Sequence, residues 1–171
     1  VALEEILPNI RVFVDDGSEV GVIYVDDGSD DVIVEGSIGR LEVGADSVTV
    51  TATDADINSA SISGVNSAII VDADSNIESI EISGADASVD VAGRVNSVTT
   101  TAANTSITGK GTVRNVAVQE GAGVAIETPK TKIQVDEGVT GVTGGGGAEI
   151  EAGKTVENNA DGTGVVEPGA Y

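Results

Sequence analysis

One short phrase recurs five times between Ile38 and Val116. Each copy has an aliphatic residue, two mostly polar residues and then another apolar residue, and successive copies start 19, 20, 18 and 18 residues apart. The copies are residues 38–41, 57–60, 77–80, 95–98 and 113–116. A period near twenty is too short for helical repeats and matches one coil of a β-solenoid, in which successive coils stack into a rod.

Apolar residues also recur at fixed places after each phrase begins. With the first residue of a phrase as position 0, positions 3 and 5 and positions 12 and 14 alternate in the way that β-strands do, so each repeat predicts two strands with one face inward. The first pairs are Leu41/Val43, Ala60/Ile62, Ile80/Ile82, Val98/Thr100 and Val116/Val118, and the second are Val50/Ala52, Ile69/Val71, Val89/Val91 and Ile107/Gly109. In the fifth repeat the second pair slips by one residue, to Val124 and Ile126.

Turn-forming residues fall between these strands at one recurring place, residues 44–46, 64–66, 84–86, 103–104 and 121–123. Gly and Asn there tolerate the left-handed backbone that sharp corners need. A β-sandwich of short strands is the alternative, but a sandwich has no reason to repeat turn and core positions in one frame. We therefore predict an all-β fold, a parallel β-helix of about five to six coils.

Both ends depart from the repeat. Residues 1–37 hold three β-rich runs separated by two near-identical Asp-Asp-Gly-Ser turns, and Asp-Gly between strands is a strong hairpin signal. These residues form irregular first coils, or an antiparallel cap, or an extended start, residues 1–14, that pairs with a neighbouring subunit. Residues 133–136 follow at the next repeat distance but place Asp136 where Leu or Val should be. We divide the chain into an N-terminal extension or cap (1–37), a solenoid (38–143) and a final strand with an irregular tail (144–171).

Charge limits the partners that this chain can have. Its 8 Lys and Arg face 29 Asp and Glu, which gives a net charge of −21. Such a surface repels phosphate backbones and anionic lipids, so nucleic acid and membrane surfaces are excluded as expected partners. No apolar run approaches the roughly 18 residues needed to span a bilayer.

Residue types limit the chemistry further. The chain has no Cys, His, Met or Trp, so it offers no thiolate, no imidazole base and no His/Cys zinc site. The four arginines, Arg11, Arg40, Arg94 and Arg114, are dispersed along the sequence. We predict that the chain is not an enzyme.

Aspartates at the corners are the candidate metal ligands. Asp-Ala-Asp closes two successive coils, and a second acidic cluster surrounds a Gly turn near the start of the chain. Carboxylate oxygens are what Ca²⁺ prefers, so calcium is the one cofactor considered, although the EF-hand pattern is absent. The candidates are Asp26, Asp27, Asp30, Asp31, Asp54, Asp56, Asp72 and Asp74. The competing interpretation is that Asp serves as a turn residue on a solvated surface.

The later coils carry a resemblance. Residues 111–118, 123–129 and 133–140 resemble the closing coils of right-handed parallel β-helix repeats in secreted and cell-wall proteins of Gram-positive bacteria. Those repeats often accompany S-layer homology modules and are similar in fold to pectate lyases. The resemblance covers roughly residues 36–143, implies right-handed coils and brings no catalytic residue with it.

These features together predict a secreted or cell-surface structural protein. We expect a homo-oligomer or homopolymer, a subunit of a surface fibre, sheath or S-layer-associated coat, that assembles by β-strand pairing between subunits. The alternative is a carbohydrate- or calcium-binding adhesin module of a larger surface protein, with cell-wall polysaccharide as its partner. A first residue that is Val rather than Met fits a processed secreted protein, and a longer protein cut at this point would look the same.

Overall fold

The computed structural model describes residues 9–26 and 31–169, and its strands wind into a β-solenoid of about seven coils. The coils supply β1 (Asn9–Phe13), β2 (Glu19–Val25), β3 (Asp31–Val43), β4 (Thr49–Ile62), β5 (Ala68–Val71), β6 (Asn76–Ile82), β7 (Ser88–Val91), β8 (Arg94–Thr100), β9 (Ser106–Thr108), β10 (Thr112–Val118), β11 (Val124–Ile126) and β12 (Lys132–Val135). Beyond them lie β13 (Val142–Thr143), a 3₁₀ turn (Gly145–Gly147), β14 (Glu149–Ile150), β15 (Thr155–Asn158) and β16 (Val165–Val166).

The strands of the seven coils stack in parallel as two faces of the rod. The face that carries the repeated phrase, here called the phrase sheet, contains β2, residues 36–43 of β3, residues 55–62 of β4, and then β6, β8, β10 and β12. The second sheet contains β1, the starts of β3 and β4, and then β5, β7, β9 and β11. Equivalent positions of the phrase lie directly above one another, as Ile57, Ile77 and Val95 do. The predicted parallel β-solenoid is confirmed.

The phrase itself marks a bend in each strand of this sheet. Ile77 and Ile80 are three residues apart, yet both are 1% exposed and point into the core. The backbone must therefore turn outward between them, which leaves Glu78 exposed and Ser79 half-buried. Cross-strand pairing accordingly passes from Ile77–Val95 to Ser79–Ser97. This bend explains why two polar residues separate the two apolar ones.

Identical core positions form columns along the rod. At position 3 the column is Leu41, Ala60, Ile80, Val98, Val116 and Ile133, none more than 3% exposed. Full burial of an aliphatic side chain of this size contributes about 1.5–3 kcal/mol, so the columns supply the main apolar stabilisation of a rod that contains few aromatic residues.

Corners use the left-handed backbone at one recurring position. Ser47, Asn66, Asp86 and Asn104, each nine residues after a phrase begins, have φ between 57° and 58°. The Asn66 amide donates to Ser47 Oγ at 3.3 Å, and the Asn104 amide donates to Asp86 Oδ1 at 2.9 Å. The predicted corner sequences are therefore the corners, with side-chain hydrogen bonds that link one coil to the next.

The described N-terminal strands form parallel coils, whereas the sequence had left an antiparallel hairpin cap as an alternative. β1 and β2 pair in parallel with the two parts of β3, and the Asp-Asp-Gly-Ser turn between them is closed by Ser18 N–H donating to Asp15 O at 3.0 Å. β1 and β2 together form the first coil, and the rod has about seven coils rather than the predicted five to six. Of the segment proposed for intersubunit pairing, residues 9–13 pair with this chain's own β3, and residues 1–8 lie outside the described residues.

Towards the C-terminus the register differs from the one expected. Ile133 and Val135 pair with Val116 and Val118, so they occupy positions 3 and 5, and Asp136 lies beyond the core positions. Ile126 pairs with Ile107, which means that the extra residue lies in the corner and β11 itself stays in register. The expected misplacement of Asp136 and the expected slip of β11 were both wrong, because corner length varies while strand pairing does not.

Antiparallel strands close the C-terminal end of the rod. β14 pairs with β13, β15 with β12, and β16 with β15, all antiparallel. Beneath them Asn158 is fully buried, and its amide nitrogen donates to Ile126 O at 2.9 Å and to Thr128 O at 2.8 Å. Its Oδ1 accepts from Gly145 N–H at 2.7 Å. Every polar atom of this side chain is thus paired.

A first prediction concerns the core columns. Ile80→Ala removes a buried side chain and should lower the free energy of unfolding by about 2–5 kcal/mol in urea denaturation. Ile70→Ala is the matched control, since Ile70 is 37% exposed on β5, and it should cost about 1 kcal/mol or less. Equal losses in the two variants would contradict the assigned inward and outward faces.

A second prediction concerns the closing strands. Asn158→Ala leaves buried backbone groups unpaired, each at about 1–3 kcal/mol, and should speed amide hydrogen exchange across residues 142–166. Exchange in β6 and β8 should stay slow. Asn58→Ala, at an exposed Asn, serves as the control and should change neither region.

Candidate functional site

A polar groove runs along the phrase sheet. Because position 0 points inward, the residues before and after it point outward on either side and form two rows. Row A consists of Asp56, Asn76, Arg94 and Thr112, which pair in register. Row B consists of the residues that follow position 0, Asn58, Glu78, Asn96 and Arg114. Between the rows lies a groove of about 450 Å³ whose floor is formed by Ile57 and Ile77.

Hydrogen bonds along each row connect neighbouring coils. In row A the Asn76 amide donates to Asp56 Oδ1 at 3.0 Å, and in row B the Asn96 amide donates to Glu78 Oε1 at 2.8 Å. Each carboxylate therefore already accepts from an amide of the next coil. The groove walls combine amides, carboxylates and a guanidinium, which are groups that recognise ligands by hydrogen bonds.

Arg94 is the exposed cation of the groove. The ion pairs within the described residues are Arg11–Glu35 at 2.9 Å and Arg40–Glu42 at 3.2 Å, and Arg94 takes part in neither. It also borders a second concavity, of about 340 Å³, together with Asp74 and Lys110. Its guanidinium is therefore available to an outside group from two sides.

Glycine shapes the second concavity. A Cβ atom on Gly111 would lie 2.4 Å from Gly93 O, and one on Gly93 would lie 2.1 Å from Asp72 O. Three successive coils approach each other too closely here for any side chain at these two positions. At these two positions the concavity is therefore lined by backbone, and polar side chains surround it: Asp74, Asn76, Arg94, Lys110 and Thr112.

The corner aspartates are only partly brought together. Asp72 Oδ1 accepts from Ser75 Oγ at 2.9 Å, from Asp74 N–H at 3.1 Å and from Asp54 N–H at 3.5 Å, so Asp54 and Asp72 lie on stacked corners. Asp56 lies instead in row A of the groove, and Asp74 borders the second concavity.

The N-terminal acidic cluster is described in part. Asp31 Oδ1 accepts from Thr49 N–H at 3.3 Å, Asp26 follows β2, and Asp27 and Asp30 lie outside the described residues. Within residues 9–26 and 31–169, no three acidic side chains are grouped so that they could hold a metal ion. Calcium binding at these aspartates stays a prediction, and the contacts that Asp72 makes are those of a turn.

Near the C-terminus a carboxylate has a perturbed acidity. Asp161 Oδ1 accepts from the Thr163 hydroxyl at 2.6 Å and from its N–H at 3.0 Å. The hydroxyl bond first, and then the backbone bond, lower the pKa of Asp161 below its usual value. This carboxylate organises an exposed turn and lies apart from the groove.

The sequence reasoning missed the convergence of cations on one face. It treated the arginines as dispersed, but β8 and β10 are neighbours, and Arg94 pairs with Thr112, two residues before Arg114. A signal was present in the sequence. Residues 91–119 contain Arg94, Lys110 and Arg114 and no Asp or Glu, in a chain that is acidic elsewhere.

The fold and its surface define a β-solenoid protein with a grooved polar face. Comparison with known protein families, with curated proteins and with solved structures gives no match. The described part of the chain contains no helix with the length and apolarity that a membrane crossing requires.

A third prediction tests what the corner aspartates do. Asp72→Ala should lower the free energy of unfolding by about 1–3 kcal/mol in the presence of a chelator, because three hydrogen-bond donors lose their acceptor. Asp90→Ala, at an exposed residue on β7, is the control and should cost less than about 0.5 kcal/mol. A loss for Asp72→Ala that appears only with millimolar Ca²⁺ would assign the corner to metal binding instead.

Proposed function

We propose that this chain is a non-enzymatic structural module of an extracellular surface assembly, and that it associates through the open strand edges of its first coil. The observation that carries the proposal is this open end. β1 and β2 pair with β3 on one side, and no other described strand pairs with them. Unpaired backbone donors and acceptors at a sheet edge are a template for another strand.

Apolar side chains cluster on the same coil. Among the described residues six large hydrophobic side chains are exposed, and four of them belong to β1 and β2: Ile10 (54%), Phe13 (60%), Val22 (37%) and Tyr24 (56%). Ile10 pairs with Val32, which is 6% exposed, so Ile10 occupies a core position that lacks a covering coil. Association at this end would bury apolar surface as well as complete the backbone ladder.

The C-terminal end of the rod differs from the open end, and this difference supports association through the first coil. There β14, β15 and β16 turn back antiparallel over the last coil, and buried Asn158 fixes them. Among the described strands, the first coil thus has no strand over it, whereas the last coil is covered by antiparallel strands, of which β14 and β16 each keep one unpaired edge. The secreted, S-layer-associated setting of the assembly is proposed from the resemblance of the repeats alone.

The fourth prediction tests the open end. Val22→Lys places a charge on the edge strand and should abolish self-association, measured by size-exclusion chromatography with light scattering and by negative-stain electron microscopy. Ile70→Lys is matched to it, since Val22 and Ile70 are both 37% exposed and Ile70 lies on β5 between two paired strands. The control should associate as the unchanged chain does.

Two results would contradict the open-end proposal. One is a chain that stays monomeric at high concentration, and the other is equal association of the two lysine variants. Deletion of residues 1–8 completes the design. Association should survive it, because β1 and β2 supply the edge, whereas its loss would assign the contact to those eight residues.

The groove favours a second candidate, a polysaccharide-binding adhesin module. Amide, carboxylate and guanidinium groups in two rows match the donors and acceptors of sugar hydroxyls, and Arg94 of row A is exposed. Calorimetric titration with cell-wall polysaccharide, with and without Ca²⁺, tests it. Binding heat that the unchanged chain gives and Arg94→Ala loses would support the adhesin module. The absence of binding heat with the unchanged chain would exclude it.

A further inference from the structure

Charge is segregated along the phrase sheet. With coils numbered from the N-terminus, the outward acidic residues within the seven coils of this sheet lie on coils 1–4, and coils 5–7 themselves carry outward cations and no acid. The acidic residues are Glu19, Glu42, Asp56, Glu78 and Glu81, and the cations are Arg94, Arg114 and Lys132. Arg40, the cation of the acidic half, is paired with Glu42. β15 continues this sheet beyond coil 7 and places Glu157 opposite Lys132. The sheet therefore has an acidic half on coils 1–4 and a basic half on coils 5 and 6, formed by Arg94 and Arg114.

The basic half is free to meet a partner. Arg94 and Arg114 are exposed, and neither makes an ion pair with another described residue. On the side of row B away from row A, position 2 carries Ser59, Ser79 and Ser97, whose short side chains leave this part of the face low. A flat surface could therefore approach this sheet closely.

We propose that two copies of this chain pack phrase sheet against phrase sheet, turned end for end, so that the acidic half of each covers the basic half of the other. The inference deepens the proposed assembly and rests on it in taking a second copy as the partner. Unlike the open end, this contact uses the side of the rod and charge rather than unpaired backbone.

The geometry follows from one two-fold axis. An axis parallel to the strands, between coils 4 and 5, keeps each position of the phrase opposite itself and reverses the order of the coils. β4 then faces β10, and β6 faces β8. β12 faces residues 36–43 of β3, where Lys132 comes opposite Arg40, a cation that Glu42 of its own chain already pairs. In row B, Glu78 of one copy lies one coil, about 4.8 Å, from the point facing Arg114 of the other. In row A, Asp56 and Arg94 are related in the same way. Packed sheets are about 10 Å apart, a gap that Arg and Glu side chains span together.

Complementarity is needed because the copies repel each other overall. Each carries a net charge of −21, so association requires a local surface where opposite charges meet. Salt screens both the overall repulsion and the local attraction, so salt dependence does not separate them. Charge reversal at paired positions does.

The experiment is a charge-swap series on the full chain, followed by sedimentation velocity. Arg114→Glu and Glu78→Arg should each weaken self-association about 10-fold or more, because the two-fold axis repeats every contact twice. The double variant, with both changes, should recover to within about threefold of the unchanged chain, since opposite charges again lie one coil apart across the contact. Lys154→Glu and Glu151→Arg change the net charge equally at exposed positions outside the phrase sheet and should leave association unchanged. Circular dichroism verifies the fold of each variant.

The outcomes separate this contact from the open-end contact. Recovery in the double variant, with no effect of Val22→Lys, would support the lateral contact and reject end pairing. Loss of self-association in Val22→Lys, with no effect of the charge-swap variants, would support end pairing and reject the lateral contact. A double variant that self-associates as weakly as the single variants overturns the lateral contact. A chain that stays monomeric, and that needs Arg94 and Arg114 only to bind polysaccharide, overturns it as well.

Discussion

Exact stacking of each coil on the next is the constraint on which the rest of this structure depends. A column such as Ile57, Ile77 and Val95 exists only because the backbone ladder between coils holds every strand in one register. A shift of one residue would turn the inward side chains outward, so the pairing register of the core positions is kept from coil to coil. The repeats nevertheless differ by one or two residues, and the corners absorb the difference, as the corner before β11 does.

This division between fixed strands and variable corners explains which parts of the fold the sequence could predict. The solenoid follows from positions 0, 3 and 5, because burial dictates those residues one by one. The first coil was harder to recognise, since Val22 is apolar where the phrase is usually polar and an Asp-Gly turn suggested a hairpin. The last coil was misaligned by three residues because Lys130 stands where an aliphatic residue would open the phrase. Local turn signals are ambiguous, and the register that resolves them is a property of the whole stack.

The same reasoning applies to the candidate site. Alternation of core and surface predicts that a polar row flanks each core column, but the identity of neighbours within a row depends on counting every corner correctly. Asp56 and Asp72 are both closing aspartates in the sequence, yet one lies in row A and the other holds a turn. Arg94 and Arg114 are twenty residues apart and lie on adjacent coils. Sequence distance was therefore a poor guide to which charges share a surface.

The two proposed contacts have a joint consequence for assembly. If the open end of one copy meets the open end of another, end pairing alone stops at two copies. The lateral contact is also two-fold, since each half of the sheet meets the opposite half of its partner, and alone it too stops at two copies. The two contacts use different surfaces of the chain, so one copy can form both at once. Every copy that is joined at its side still has a free end. Alternation of the two contacts extends without limit unless its rotations close a ring. A subunit without head-to-tail complementarity can thus build a fibre, and the fibre requires both the apolar first coil and the segregated charges of the phrase sheet.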